Sequence, residues 1–368
     1  MREGFSLEPG RVALNHGSFG AVPRVVQERQ AAIRARCEAN PMRFFRVELQ
    51  GLVEAARGAA AEFLGADEVA LVRNPTEAVA TVLSALAWQG RLGPGDAVVV
   101  SEQGYGAMTL AVQQWCTRTG ASYAVARLPL EADAVEAYRE AFHEVEDRGD
   151  VVRLVIVDHI TSPTGTVLPY AEVAALAHAH GAVVLVDGAH VPGHVPADVG
   201  AGDFWTGTFH KWAFAPRGTS VLWVAEAERD AVAPLSTSWR DGRPFPQPFD
   251  LRGTDDYSGW AALPAALEFW SDAGGWDIAT EARLLLDDAA PLFGRSARCT
   301  APCLRLVPLP EGVAETAEAA DGLYESLGRR GLEAQVTAFG GRGHVRLSAT
   351  VYNELSDYER LAEALKES

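Results

Sequence analysis

Between about residue 95 and 225 the sequence repeats one pattern: a short, continuous apolar run followed by a stretch of helical character. The runs fall at 97–100 (AVVV), 123–128, 154–158 (LVIVD) and 183–187 (VVLVD), with further candidates at 204–209 and 220–224. Helical stretches at about 106–118, 131–147 and 169–180 separate the first four. Pro169 opens the last of these, because the first helical turn needs no N–H from that position, and Gly181 ends it. A strand that is apolar on both sides has to be covered on both faces. A helix between two such strands is the crossover that parallel pairing requires. The pattern therefore predicts an α/β fold with a mostly parallel sheet, whose ligand site lies beyond the carboxyl ends of its strands.

After about residue 234 the texture changes. Residues 234–258 are rich in Pro, Trp, Arg and Asp and read as a functional loop; residues 260–290 read as helical. From about 299 a smaller α/β unit is expected, with a strand at 303–309, a helix at 314–330 and strands at 333–338 and 344–348. The expected organisation is an N-terminal segment (1–20) lining the site, a large domain (21–258) and a small C-terminal domain (259–368), with the 260–290 helix as connector. A chain of 368 residues suits two domains of roughly 100–200 residues each.

The net charge of −17 argues against a nucleic-acid or anionic-membrane partner, since phosphate binding needs clustered cations. Four scattered cysteines argue against a disulfide framework, and Cys299 and Cys303 lack the second pair that a zinc site would need. The start, MREGFSLEPG, has no signal-peptide apolar core, and no run of 18 apolar residues exists. The expected location is the cytoplasm.

Lysine is almost absent. Of 32 basic residues only Lys211 and Lys366 are lysines. Lys211 stands in TFHKWAF, between Phe209, Trp212 and Phe214. An apolar setting lowers an ammonium pKa and makes the amine nucleophilic, although a surface lysine packing its stem on aromatics would look the same. Companions for a pyridoxal 5′-phosphate linked to Lys211 are present. Asp187, ending VVLVD, is placed to keep a ring nitrogen protonated, and His190 to bond a ring hydroxyl. NPTEAV (74–79) opens a helix where the N–H groups of Thr76 and Glu77, with the Thr76 hydroxyl, suit a phosphate; Thr208 and His210 complete that cradle. Tyr105 is a candidate to stack on the ring. Arg346, mid-strand in GHVRLS (343–348), offers a fork for a carboxylate. Each has an ordinary structural alternative: a turn aspartate, a core histidine, a helix cap, a core tyrosine, a solvent-facing arginine.

Together these segments resemble the class V aminotransferases of pyridoxal-phosphate fold type I, nearest to the isopenicillin N epimerase-like branch. The carrying stretches are LNHGSFGAVP (14–23), NPTEAV (74–79), DHITSPTGTVLP (158–169), VDGAHVPG (186–193), TFHKW (208–212) and VRLSATVYNELSDYERL (345–361). The resemblance implies a large domain with a mostly parallel seven-stranded sheet, a small C-terminal α/β domain and a homodimer with shared sites. It implies Lys211 as the Schiff-base lysine, Asp187 as the pyridinium partner and His190 as the ring-hydroxyl neighbour. Thr76, Thr208 and His210 match phosphate contacts, Tyr105 the stacking position, and Thr161 a position near the cofactor face. Arg252-Gly253-Thr254 resembles the segment by which the partner subunit reaches the phosphate. Arg346 matches the arginine for the substrate carboxylate, and Asn15 and His16 lie in the stretch that lines the substrate pocket. The cysteine desulfurases of this class carry a nucleophilic cysteine shortly before that arginine. None lies between Cys303 and Arg346 here, so a protein persulfide is not expected.

The implied chemistry starts at Cα of an amino acid whose carboxylate sits on Arg346, with Lys211 as general base. The favoured outcome is a lyase, cleaving a C–S bond of a cysteine conjugate by β-elimination in small-molecule biosynthesis. An epimerase comes next, then transamination or decarboxylation. A non-catalytic partner protein of the same fold, and a metal hydrolase built on Asp187, His190 and His194, are the readings from other classes. Residues 40–50, with Arg43 and Arg46, and residues 234–258 are expected to shape the pocket.

Overall fold

The computed structural model describes residues 1–294, 298–299 and 301–367. Seven strands form the main sheet: β1 (Ala70–Val72), β2 (Asp96–Ser101), β3 (Ser122–Ala126), β4 (Val151–Asp158), β5 (Val183–Asp187), β6 (Phe204–Thr208) and β7 (Ser220–Val224). Their order is β1-β7-β6-β5-β4-β2-β3. All neighbours pair in parallel except β7, which runs against both β6 and β1. The predicted seven-stranded, mostly parallel sheet is thus the one observed.

Burial explains the continuous apolar runs. Val98 and Val100 of β2 face a core with Leu154, Ile156 and Leu185, under the helices Pro75–Trp88 and Gly106–Thr119. Ala97 and Val99 face the opposite core, with Val155, Val157 and Val186, under the helices Leu49–Leu64, Ala134–Asp147 and Tyr170–Ala179. Each fully buried Val or Leu contributes about 1.5–3 kcal/mol, so both faces are needed to hold the sheet.

A second, four-stranded antiparallel sheet runs Gln335–Phe339, Arg342–Ser348, Leu304–Pro308, Arg298–Cys299. It has its own apolar core with the helices Ala317–Arg329 and Leu355–Lys366. Val12–Ala13 pairs in parallel with Leu332–Glu333, tying the N-terminal stretch to this second unit. Residues 260–290 form three helices rather than one: Ser258–Ala261, Leu263–Asp272 and Asp277–Ala289. The Gly274-Gly275 pair, at φ +128 and +57, breaks the run between the last two. Among the described residues no helix is long and apolar enough to cross a membrane.

Candidate active site

The carboxyl ends of β4, β5 and β6 open into a cavity of about 570 Å³, closed on its far side by the second sheet. That volume is within the range of small-molecule and cofactor sites. Lys211, three residues beyond β6, is half-buried and sets its Nζ 3.1 Å from His190 Nε2. Burial pushes the Lys211 amine down to about 7, against the opposing pull of Asp187. At neutral pH a large share of Lys211 is therefore the uncharged nucleophile. The unfolded chain holds the proton up to the ordinary 10.5, so this residue's contribution to stability improves as pH rises from about 7 to 10.5. Capture of pyridoxal phosphate by the cofactor-free protein is expected to speed up about tenfold per pH unit below 7, then level off, in stopped-flow absorbance. A midpoint near that of free lysine would contradict the buried amine.

Asp187 ends β5. One carboxylate oxygen accepts the Ala189 N–H at 2.9 Å, and the residue lines the cavity. His190, one turn further, is held neutral by burial, which pushes its pKa well below the usual range; its Nδ1 has no partner. Thr208 Oγ1 lies 2.6 Å from His210 Nδ1, and both line the cavity beside Lys211. Thr76 lines it from the first turn of the helix Pro75–Trp88, and Tyr105 from the residue before Gly106–Thr119.

Arg346 projects from the second sheet. It is 2 % exposed, and burial pushes its pKa down to about 10. Its Nη1 donates to the Ser162 carbonyl, and its Nη2 to Asn15 Oδ1 at 3.1 Å and Ser18 Oγ at 2.9 Å. Its Nε has no partner, and no carboxylate of the described residues lies within ion-pair distance. A buried guanidinium held only by neutral oxygens is prepared for an anion from outside.

Several expected residues stand elsewhere. The Glu77 N–H is taken by the Asn74 side chain at 2.8 Å, as an N-cap, and the Glu77 carboxylate accepts from Arg252 and from Arg73 N. Glu77 therefore lines a neighbouring cavity of about 300 Å³ rather than this one. Thr161 points into a hydroxyl cluster with Thr164, which bonds Gln103, and does not line this cavity; Ser162 and Pro163 form the wall instead. His16 does not line the cavity either. Its Nε2 bonds the Lys211 carbonyl at 2.8 Å, its Nδ1 bonds Tyr352 Oη at 2.9 Å, and it packs against Trp212 and Phe214. Asn15 stands behind Arg346 and braces it. A Cβ on Gly20 would come within 2.7 Å of the Lys211 carbonyl, so the N-terminal stretch holds the lysine's backbone closely. Thr254 is exposed and lines neither this cavity nor the smaller one. Residues 40–50 line neither cavity, and Arg43 turns to Glu48 at 3.2 Å. From 234–258, Leu235, Ser236, Arg252, Asp255 and Tyr257 line the smaller cavity and none lines this one. The metal reading fails on geometry: His194 Nδ1 bonds the His190 carbonyl and its Nε2 accepts the Cys303 N–H, leaving no lone pair for an ion. The side chain of Cys299 lies outside the described residues.

Among the lining residues that were not singled out from the sequence, Asp158, Gln335 and Thr337 carry polar side chains that matter here. Asp158 ends β4 in register with Asp187 at the end of β5. Both are 3 % exposed, and burial together with the neighbouring carboxylate raises Asp158 well above the usual range. The signal was present: LVIVD and VVLVD close two adjacent strands with the same residue. Gln335 and Thr337 line the wall beside Arg346.

A lysine amine beyond the strand ends stands beside a buried carboxylate, a neutral histidine and a hydroxyl-bearing helix start, a set of groups whose chemistry fits pyridoxal phosphate. The chain belongs to the aminotransferase class-V family, which matches residues 21–297, and its cofactor is pyridoxal 5′-phosphate. It is 33% identical to isopenicillin N epimerase of Streptomyces clavuligerus, over 98% of this chain and 95% of that protein. It is 29% identical to a probable chloroplastic L-cysteine desulfhydrase of Arabidopsis thaliana, over 97% and 83%. Among solved structures, a C-DES mutant with glycine covalently linked to the PLP cofactor shares the fold, with a TM-score of 0.83, 22% identity and coverage of 99% and 98%.

Proposed function

We propose that the chain is a carbon–sulfur lyase that removes the Cα proton of a cysteine-type amino acid and expels sulfur from Cβ. The observation that carries this reading is one neutral amine, with no free imidazole opposite it, among the described side chains that line the cavity. Among the described lining side chains, Lys211 alone combines a neutral amine near pH 7 with access to the space before Arg346. His190 is occupied by Lys211 itself, and His210 is bonded to Thr208 with its pKa held at about 3 by burial. Elimination needs one base to take the Cα proton, whereas inversion needs a second acid–base group on the opposite face.

Lys211 would hold the cofactor through Nζ and Asp187 its ring nitrogen. His190 would bond the ring hydroxyl, and Tyr105 would cover the ring. Thr76, Thr208 and His210 would take the phosphate. When bound, pyridoxal phosphate supplies an electron sink for charge at Cα. Arg346 orients the substrate by its carboxylate, and Lys211 takes the proton at Cα. Asp187 would carry the negative charge that faces the ring nitrogen, while Asp158 beside it holds its proton, raised by burial and by the Asp187 carboxylate. The proposal includes a cytoplasmic homodimer, and an exposed Thr254 fits a residue acting in the site of a second copy. It retains an N-terminal segment, a large domain and a small domain divided near residues 20 and 258.

The test is a panel of cysteine, cystine and S-alkyl cysteines. Pyruvate, ammonia and the expelled sulfur species are expected in equal amounts: sulfide from cysteine, a thiol from S-alkyl cysteines and cysteine persulfide from cystine. The second reading, an epimerase, is favoured by the full-length likeness to isopenicillin N epimerase and predicts inversion at Cα without pyruvate. Transfer of the amino group to a 2-oxo acid, with neither pyruvate nor inversion, would refute both.

A further inference from the structure

Gln335 lies directly opposite Arg346 on the neighbouring antiparallel strand, and Thr337 opposite His344. Alternate residues of a strand share a face, so Gln335 and Thr337 present their side chains together, and both line the cavity with Arg346. Asn15 joins the unit: its Nδ2 donates to Gln335 Oε1 at 3.2 Å while its Oδ1 accepts from Arg346 at 3.1 Å. The titratable groups of the cavity other than Arg346 gather at the strand ends, where Asp158, Asp187, His190, His210 and Lys211 stand. On the opposite wall Arg346 is the one charged group among the described residues; Ser18, Phe19, Ile160, Gln335 and Thr337 around it are neutral. Phe19, 73% exposed, forms the apolar edge of the mouth.

We infer that Gln335 and Thr337 form the subsite for the substrate's side chain, selecting neutral amino acids with a hydrogen-bonding atom on Cβ and rejecting those with a second carboxylate. This rests on Arg346 as the carboxylate anchor. With the α-carboxylate on that guanidinium, the strand register brings the Gln335 amide and Thr337 hydroxyl alongside the next carbons of the substrate. A hydroxyl or sulfur on Cβ finds polar partners there. A second carboxylate would lose its water and meet no cation, because the one guanidinium on that wall is already engaged.

The test titrates the holoenzyme with L-alanine, L-serine, L-aspartate and L-glutamate and reads dissociation constants from the change in the cofactor's visible band, independently of turnover. L-Serine should bind more tightly than L-alanine, and both at least about tenfold more tightly than the two diacids. The double replacement Gln335→Ala, Thr337→Val should bring the serine-to-alanine ratio close to one, and Gln335→Arg should raise affinity for the diacids. Wild-type binding of L-aspartate as tight as that of L-serine would overturn the subsite, and so would a serine advantage that survives the double replacement. If no amino acid perturbs an intact band, the Arg346 anchor itself fails, a result distinct from binding with the wrong order of preference.

Discussion

Replacing Lys211 with alanine is expected to lower turnover of any amino-acid substrate by at least about 10⁴-fold, equivalent to about 5.4 kcal/mol of transition-state stabilisation. On the proposed reading two roles end with one side chain: the covalent hold on the cofactor and the base at Cα. The variant should keep its fold, because the Lys211 amine makes a single side-chain contact, to His190. Far-ultraviolet circular dichroism would check the fold, and steady-state rates would check the loss. Lys366 lies in the last turn of the C-terminal helix Leu355–Lys366, away from the cavity. Its replacement by alanine should leave the rate at the wild-type value, which makes it the matched control in a chain with only two lysines.

Arg346→Ala should cost about 10²–10³-fold in kcat/KM, about 3–4 kcal/mol, the range for losing a buried, charge-assisted bidentate contact. Arg346→Lys should recover only part of this. Three donors of the guanidinium are committed to the Ser162 carbonyl, Asn15 and Ser18, and a single ammonium cannot hold that set and also present a fork to a carboxylate. kcat/KM and the affinity for an unreactive amino acid should fall together, with kcat little changed, since the contact holds substrate and transition state alike. A variant with normal affinity and a reduced rate would place Arg346 in a different role.

The fold was readable because its signals are local. Two-faced burial writes a strand as an unbroken apolar run, and Val183–Asp187 and Ser220–Val224 fall where those runs lie. The edge strand Ala70–Val72 escaped notice. It is only three residues long, and its pairing with Ser220–Val224 spans about two fifths of the chain. The 260–290 stretch read as one helix because composition registers alanine and leucine more strongly than a single Gly-Gly break. In the site, residue type marked what chemistry each position offers but not the direction of its side chain. His16 and Thr161 sit in the expected stretches, yet one bonds the Lys211 carbonyl and the other a threonine cluster. Glu77 lost its free N–H to a cap that the asparagine before the proline already announced. Gln335 and Thr337 carry no motif. Only the register against Arg346 brings them to the cavity. Phe214, at φ 57, holds the turn after Lys211 in a left-handed conformation that nothing in the sequence marks.

The central claim is that Lys211 carries the cofactor. Borohydride reduction of the purified protein, followed by peptide mass spectrometry, tests it most directly. The expected result is a pyridoxyl group on the peptide containing Lys211, none on Lys366, and loss of the visible absorption band on reduction. A reduced protein with no pyridoxyl group on Lys211, after incubation with pyridoxal phosphate, would contradict the account.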